Sequence, residues 1–86
     1  MQVRIVYFAS FRDAVGREEE TRRMAPGSRV RHLWEALAGD VPHFARFGAM
    51  PPAAVNREYA SAETELHEGD EVAFLPPVAG GGWKST

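Results

Sequence analysis

The chain has 86 residues, of which 44% are hydrophobic and 26% charged, and a formal net charge of −2. This length allows one small domain with one modest core, and the composition is that of a folded protein. The slight negative charge disfavours a nucleic-acid partner, and the lack of cysteine excludes disulfides, thiolate metal sites and a thiol nucleophile. No apolar run is long enough to span a membrane, and the N-terminus lacks the layout of a signal peptide, so we expect no membrane partner and a cytoplasmic location.

The N-terminal segment predicts two strands joined by a short helical turn. β-Branched and aromatic residues from Val3 to Ala9 predict the first strand, which is apolar on both faces towards its end. Ser10 to Val15 predict a helical turn that stops at Gly16. The charged stretch from Arg17 to Ala25 is interpreted as an exposed edge strand whose charges resist aggregation, with a charged docking patch as the alternative.

The next segment predicts an amphipathic helix. Ser28 is a good N-cap residue, and Gly39 is a suitable residue to end the helix. Between them, apolar residues recur at i, i+3, i+4 and i+7, which predicts one stripe packed against a sheet. The stripe consists of Val30, Leu33, Trp34 and Leu37. Because so short a chain has no second long helix, we interpret Trp34 as a core residue rather than part of a ligand site.

The second half of the chain predicts short elements followed by one buried strand. In order, these are a weak helical turn over residues 41–47, a loop over 48–52, a strand over 53–56, a turn into another strand over 57–60, and irregular chain to 66. Gly69 lies in a turn signal between Glu68 and Asp70. The residues from Glu71 to Leu75 are apolar on both faces and stop at Pro76, which is typical of a central strand.

This order of elements predicts the fold class. If the first and last strands lie side by side they must be parallel, because the hairpin and helix between them form one long crossover. A mixed sheet with parallel central first and last strands and one main helix across it is the α+β arrangement called β-grasp, or ubiquitin-like. We therefore predict a β-grasp domain over residues 1–77 and a flexible tail over residues 78–86.

Catalysis by the chain's own side chains finds little support. The histidines at 32, 43 and 67 have no metal-ligand spacing, and Asp70 and Glu71 are not paired with a base or nucleophile. The tail is more informative. Pro76 and Pro77 stiffen it, Gly80 and Gly81 thin it, and its six residues to Gly81 could reach about 20 Å, far enough to enter another protein's active site. A plain glycine-rich end is the alternative.

The sequence EGDEVAFLPPVAGG, from Glu68 to Gly81, resembles the C-terminal signature of the small subunit of molybdopterin synthase, the MoaD type of sulfur carrier in the MoaD/ThiS ubiquitin-like family. In that family a Gly-Asp-Glu-Val-Ala turn and strand lead to Pro-Pro-Val and a final Gly-Gly. Further similar segments are Val3–Ala9, Arg12, Val15-Gly16 and Ala53–Asn56. The resemblance therefore spans nearly the whole predicted domain.

The resemblance implies a sulfur-donating subunit without a catalytic side chain of its own. In the family, an E1-like partner of the MoeB type uses ATP to adenylate the terminal glycine carboxylate, and a sulfur donor converts the adenylate to a thiocarboxylate. A large MoaE-type subunit then uses the sulfur to build the dithiolene of molybdopterin. Carried over to this chain, Gly81 would bear the thiocarboxylate and Gly80 would allow close passage. ATP belongs to the partner, and we expect no cofactor or metal on this chain.

The resemblance also implies a surface that contacts the partner around the tail. The positions that correspond to partner contacts are Phe8, Arg12, Tyr59, Leu75, Pro76 and Pro77. For Phe8 and Tyr59, ordinary core packing is the alternative interpretation.

The chain departs from the family pattern at Gly82 to Thr86, which follow the second glycine. An internal amide cannot be adenylated as a carboxylate can, so the sulfur-carrier hypothesis requires removal of these five residues. A fusion to the large subunit, or residues added during cloning, would also account for their presence. Two alternative functions remain open. One is a sister carrier for thiazole, cysteine or tRNA thiolation, and the other is a β-grasp binding or conjugation module whose tail is only a linker.

Overall fold

The structure is a computed structural model that describes residues 1–75. Its elements are β1 (Gln2–Tyr7), α1 (Ala9–Val15), β2 (Glu19–Arg23), α2 (Val30–Asp40), α3 (Pro42–Ala45), β3 (Ala53–Val55), β4 (Glu58–Ala60) and β5 (Glu71–Phe74). None of the helices within this range is long and apolar enough to cross a membrane. The predicted domain boundary at residue 77, the tail over 78–86, and Pro76, Pro77, Gly80 and Gly81 lie outside the described residues.

The five strands form one mixed sheet in the order β2-β1-β5-β3-β4. The central pair, β1 and β5, is parallel, with Ile5 opposite Val72 and Tyr7 opposite Phe74. The other pairs are antiparallel, and the charged strand β2 lies at one edge beside β1. The predicted β-grasp topology is confirmed. The interpretation of the charged segment from Arg17 to Ala25 as an edge strand is also confirmed. A parallel pair requires a long crossover, and here it contains β2, the helices and the β3–β4 hairpin.

The helices pack on one face of the sheet and form the core with it. Val3, Ile5 and Tyr7 alternate onto this face and are buried, as the period of two along the strand predicts. The predicted stripe of α2 is also buried, and Trp34 is a core residue. The core cluster also includes Phe11, Phe44, Ala53, Leu66, Val72 and Phe74. One apolar face on each element therefore suffices to build the domain.

Both predicted ends of α2 are wrong. The N-cap is Arg29, whose backbone N–H donates to Nδ1 of His32 at 2.8 Å. Ser28 instead pairs through its backbone, and its carbonyl accepts the N–H of Leu66 at 2.8 Å. At the other end, Gly39 stays helical and the helix continues to Asp40, which Arg22 of β2 holds at 2.6 Å. Contacts with distant segments thus decided where the helix begins and ends.

An aromatic cluster joins the helices to the end of β5. The ring of Phe44 lies 4.8 Å from that of Phe11 and 5.1 Å from that of Trp34. Trp34 in turn lies 5.1 Å from Phe74, the last residue of β5. The rings meet at tilted, edge-on and stacked angles that aromatic pairs favour. The cluster therefore fixes the point at which the chain leaves the sheet.

A buried carboxylate fixes the other end of β5. Asp70 is 9% exposed. Its two oxygens accept hydrogen bonds from the Asn56 side chain at 2.9 Å and the His67 backbone at 2.8 Å. Gly69, at φ +81°, makes the turn that the sequence predicted. Because Asn56 belongs to the β3–β4 hairpin, this network sets the hairpin against the start of β5.

Replacing Phe44 with alanine is expected to lower the free energy of unfolding by about 3–5 kcal/mol, because it opens a cavity among packed rings. Chemical denaturation followed by circular dichroism measures the loss. Phe8→Ala is the matched control, because the Phe8 side chain is 47% exposed. Equal losses in the two variants would contradict the central role of the aromatic cluster.

A second prediction concerns Tyr7, whose hydroxyl donates to Glu20 at 2.7 Å. Burial, the hydrogen bond to Glu20 and the charge of Glu20 together raise the pKa of Tyr7 well above its usual value of 10.0. A raised folded-state pKa means that the stabilising contribution is complete below the unfolded-state pKa and is lost as the pH rises above it. Thermal unfolding from about pH 9 to about pH 11 should therefore show a steeper loss of stability in the parent chain than in Tyr7→Phe. A Tyr7→Phe variant that kept the parent's slope would contradict this assignment.

Candidate functional site

The sheet face opposite the helices is called the open face here. Because side chains alternate along each strand, it carries the residues between those of the core cluster; among them Ala73 is only 7% exposed. Four of them form a continuous row across the strands: Val6 pairs with Ala73, Ala73 with Ala54, and Ala54 with Tyr59. The first three side chains of this row are short and apolar, and the row ends at the aromatic ring of Tyr59. The open face therefore has a flat apolar centre.

This centre continues to the point where the described chain ends. Phe8 follows β1 with extended backbone, φ −121° and ψ 151°, so its side chain points away from buried Tyr7 and is 47% exposed. Leu75 follows β5, is half-buried, and donates its N–H to the carbonyl of Pro52 at 2.9 Å. A shallow depression beside it is lined by Ala54, Arg57, Tyr59 and Leu75. We call the six residues Val6, Phe8, Ala54, Tyr59, Ala73 and Leu75 the apolar patch.

The structure brings together the predicted contact residues that it describes. Phe8 and Leu75 lie at the ends of the adjacent parallel strands, and Tyr59 shares the depression with Leu75. Arg12 lies one helical turn beyond Phe8 on α1, where its backbone N–H reaches the Phe8 carbonyl at 3.3 Å. Tyr59 is 84% exposed and Phe8 is 47% exposed, so neither ring belongs to the core. Their contact with a partner remains a prediction.

Charged residues border the apolar patch. Arg4 donates to Glu19 at 2.7 Å and also pairs with Glu71, while Arg57 lies 3.8 Å from Glu71. The hydrogen bond to Glu19 raises the pKa of the Arg4 guanidinium despite the opposing effect of desolvation. Arg57 itself is held at φ +71°, in the turn between β3 and β4. An apolar centre with a charged border is the usual composition of a protein-binding surface.

Sequence reasoning did not single out Val6, Ala54, Ala73 or Arg57. Alternation along the strands was the available signal for Val6 and Ala73. For Ala54 and Arg57 the position depends on how the hairpin pairs with β5, which no local pattern specifies.

The described residues show no arrangement suited to side-chain catalysis or metal binding. Within residues 1–75, no three histidine, aspartate or glutamate side chains converge as metal ligands would. His32 receives the N-cap hydrogen bond, His43 packs 5.7 Å from the ring of Phe47, and His67 lies 3.9 Å from the carboxylate of Asp70. What the geometry offers is a docking surface at the base of the tail.

Comparison with known proteins identifies similar sequences and structures. A sequence model of the ThiS family matches residues 5–81. The molybdopterin synthase sulfur carrier subunit of Mycobacterium tuberculosis is 35% identical over 85 residues, covering 94% of this chain and 99% of that protein. The structure of a putative molybdopterin converting factor subunit 1 from Pyrococcus furiosus has a TM-score of 0.73 at 32% identity, covering 91% of this chain and 99% of that one.

A complex of subunits 1 and 2 of the molybdopterin-converting factor from Helicobacter pylori contains a similar chain. It has a TM-score of 0.64 at 22% identity and covers 94% of this chain and 100% of that one, which establishes likeness of fold alone. The match over residues 5–81, together with the 35% identity to the mycobacterial protein, shows that the chain belongs to the ThiS family.

Proposed function

We propose that this chain is the sulfur carrier subunit of a molybdopterin synthase. The observation that carries the proposal is the position of the apolar patch. It surrounds Leu75, where a buried central strand delivers the chain into the sequence PPVAGG. A rigid strand that ends in a docking surface positions a narrow tail for entry into a partner's active site. The 35% identity to a sulfur carrier subunit of molybdopterin synthase supports this function.

In the proposed reaction, Gly81 carries the sulfur. Its carboxylate attacks the α-phosphate of ATP on an E1-like, MoeB-type partner, and pyrophosphate leaves. A sulfur donor at the oxidation level of hydrosulfide then attacks the acyl carbon, a C–S bond forms, the C–O bond to AMP breaks, the S–H proton passes to water, and a thiocarboxylate remains. Gly80 and Gly81 lack a Cβ and so pass through a narrow channel. The nucleotide site and the groups that stabilise the reaction belong to the partners, so this chain is a donor rather than a catalyst.

The apolar patch is the proposed contact surface for the large, MoaE-type subunit. The Helicobacter pylori complex supports this assignment by analogy of fold, since it joins a similar chain to a second subunit. Phe8, Tyr59 and Leu75 would supply apolar contact area, Arg12 would contribute charge, and Pro76 and Pro77 would stiffen the start of the tail. The proposal places the reaction in the cytoplasm.

The proposal requires that Gly81 become the terminal residue. In the sequence as it stands, the carbonyl of Gly81 forms a peptide bond to Gly82. An amide carbonyl has no free carboxylate oxygen to attack ATP. Cleavage after Gly81 would therefore convert a latent chain into an active one.

Cleavage state is thus expected to decide activity. Residues 1–81 should gain a thiocarboxylate when incubated with the activating enzyme, ATP and a sulfur donor, whereas residues 1–86 should not. Intact mass spectrometry detects the replacement of one oxygen by sulfur. Residues 1–79, which lack both glycines, are the matched control and should donate no sulfur to the large subunit. Thiocarboxylate formation on an uncleaved 1–86 chain would contradict the proposed role of Gly81.

The docking surface gives a separate prediction. Tyr59→Ala should weaken binding to the large subunit by about 10- to 100-fold, because tyrosine rings that become buried in an interface contribute disproportionately to affinity. Glu35→Ala is the control, since Glu35 is exposed on α2, on the opposite side of the sheet. Isothermal titration calorimetry measures both affinities. If the Glu35 variant lost as much affinity as the Tyr59 variant, the open face would not be the contact surface.

A further inference from the structure

The cations of this chain are chemically uniform up to the proposed reactive terminus. Every positively charged side chain in residues 1–81 is an arginine. They are Arg4, Arg12, Arg17, Arg22, Arg23, Arg29, Arg31, Arg46 and Arg57. The single lysine, Lys84, lies in the segment that follows Gly81.

At some positions, side-chain contacts explain the choice of arginine. Arg4 uses two nitrogens to bind Glu19 and Glu71, and Arg22 uses two to bind Glu20 at 3.3 Å and Asp40 at 2.6 Å. The planar guanidinium directs separate N–H donors at the two carboxylates. These contacts therefore favour arginine over lysine at the two sites.

At other positions no side-chain contact favours arginine over lysine. Arg12, Arg17, Arg23 and Arg46 are exposed. Within residues 1–75 their side chains make no ion pair or hydrogen bond to another residue. A lysine would supply the same charge to solvent at each of them. The remaining difference is chemical: a lysine amine becomes a nucleophile when it loses its proton, whereas a guanidinium stays protonated and unreactive.

We propose that the arginine-only composition makes the folded body a poor acceptor for its own activated glycine. The inference rests on the proposed activation of Gly81. In the reaction that it avoids, a lysine Nζ attacks the glycyl carbonyl carbon of the adenylate. A C–N bond forms, the C–O bond to the phosphate breaks, AMP leaves with the electron pair, and the amine proton passes to water. The product would be a dead-end cyclic or polymeric chain.

The length of the tail allows Gly81 to reach surface side chains of its own domain, where such an attack would occur. Residues 76–81 span up to about 20 Å from Leu75, so Gly81 can return to the end of the sheet from which it leaves. Arg17 lies at that end, since the carbonyl of the next residue, Glu18, accepts the N–H of Tyr7 at 2.8 Å. Arg46 lies there too, next to Phe47, whose ring is 5.1 Å from that of Phe11. An amine tethered within this distance of a reactive carbonyl has an effective concentration on the order of millimolar.

The opposite end of the sheet is better protected. Arg23 pairs there with Gln2, one strand length of about 17–20 Å from the exit of β5. The α-amine of Met1 lies at the same end and donates to the carbonyl of Met24 at 2.8 Å. Attack by this amine would require loss of that hydrogen bond as well as nearly full extension of the tail. Cleavage after Gly81 would also remove Lys84, and residues 1–81 contain no lysine.

The test places lysine at chosen distances from the exit. Residues 1–81 are prepared by intein chemistry with a thioester at Gly81, as the parent chain and as Arg17→Lys, Arg46→Lys and Arg23→Lys. Each is incubated at mildly alkaline pH, and mass spectrometry locates any isopeptide bond. Arg17→Lys and Arg46→Lys should self-acylate at least about tenfold more than the parent. Arg23→Lys, the distant control, should remain near the parent. Unchanged thermal unfolding confirms that the variants fold alike.

Self-acylation no greater than the parent's in both Arg17→Lys and Arg46→Lys, with normal thioester hydrolysis, would overturn the inference and leave the proposed function standing. A parallel arm supplies the parent 1–81 chain with the activating enzyme and ATP, and pyrophosphate release is measured. Absence of pyrophosphate release would overturn the proposed function. It would also overturn the proposal that arginine protects the activated glycine. Pyrophosphate release together with self-acylation of the two near variants supports both.

Discussion

The parallel pairing of β1 with β5 is the constraint on which the rest of this structure depends. It joins the two ends of the domain at the centre of the sheet, with Ile5 opposite Val72 and Tyr7 opposite Phe74. Because the strands are parallel, both end at the same edge, so Phe8 and Leu75 become neighbours. The chain therefore leaves the sheet directly after the buried residues of β5. Fraying at this point would cost core contacts on both strands.

The two faces of the sheet have different roles. On one, the aromatic cluster of Phe11, Trp34, Phe44 and Phe74 supplies the core and anchors the end of β5. On the other, small side chains leave a flat surface with Tyr59 exposed at its margin. A domain of this size has a single core, so covering only one face leaves the other free for a partner. Stability and docking are thus assigned to different side chains on the same strands.

The function proposed for this chain places its chemistry on the backbone rather than on side chains. A glycine carboxylate carries the sulfur, and the surrounding protein supplies position and a surface that partners bind. Such a carrier must react with its partners and with nothing on its own surface. The choice of guanidinium over amine at exposed positions such as Arg17 and Arg46 fits this requirement, because it keeps the charge without adding a nucleophile.

The sequence by itself determined the type and order of most elements. Alternation along Val3–Tyr7, the stripe of α2 and the turn at Gly69 each follow from local periodicity or backbone preference, and the EGDEVAFLPPVAGG segment identified the family. Only the tertiary structure decided the ends of α2, since they depend on pairing with Leu66 and Arg22, which are distant in sequence. It also decided the burial of Asp70 against Asn56 and the assembly of the apolar patch from four separate strands. Local patterns cannot specify these features, because strand register and long-range hydrogen bonds form only when the chain closes on itself.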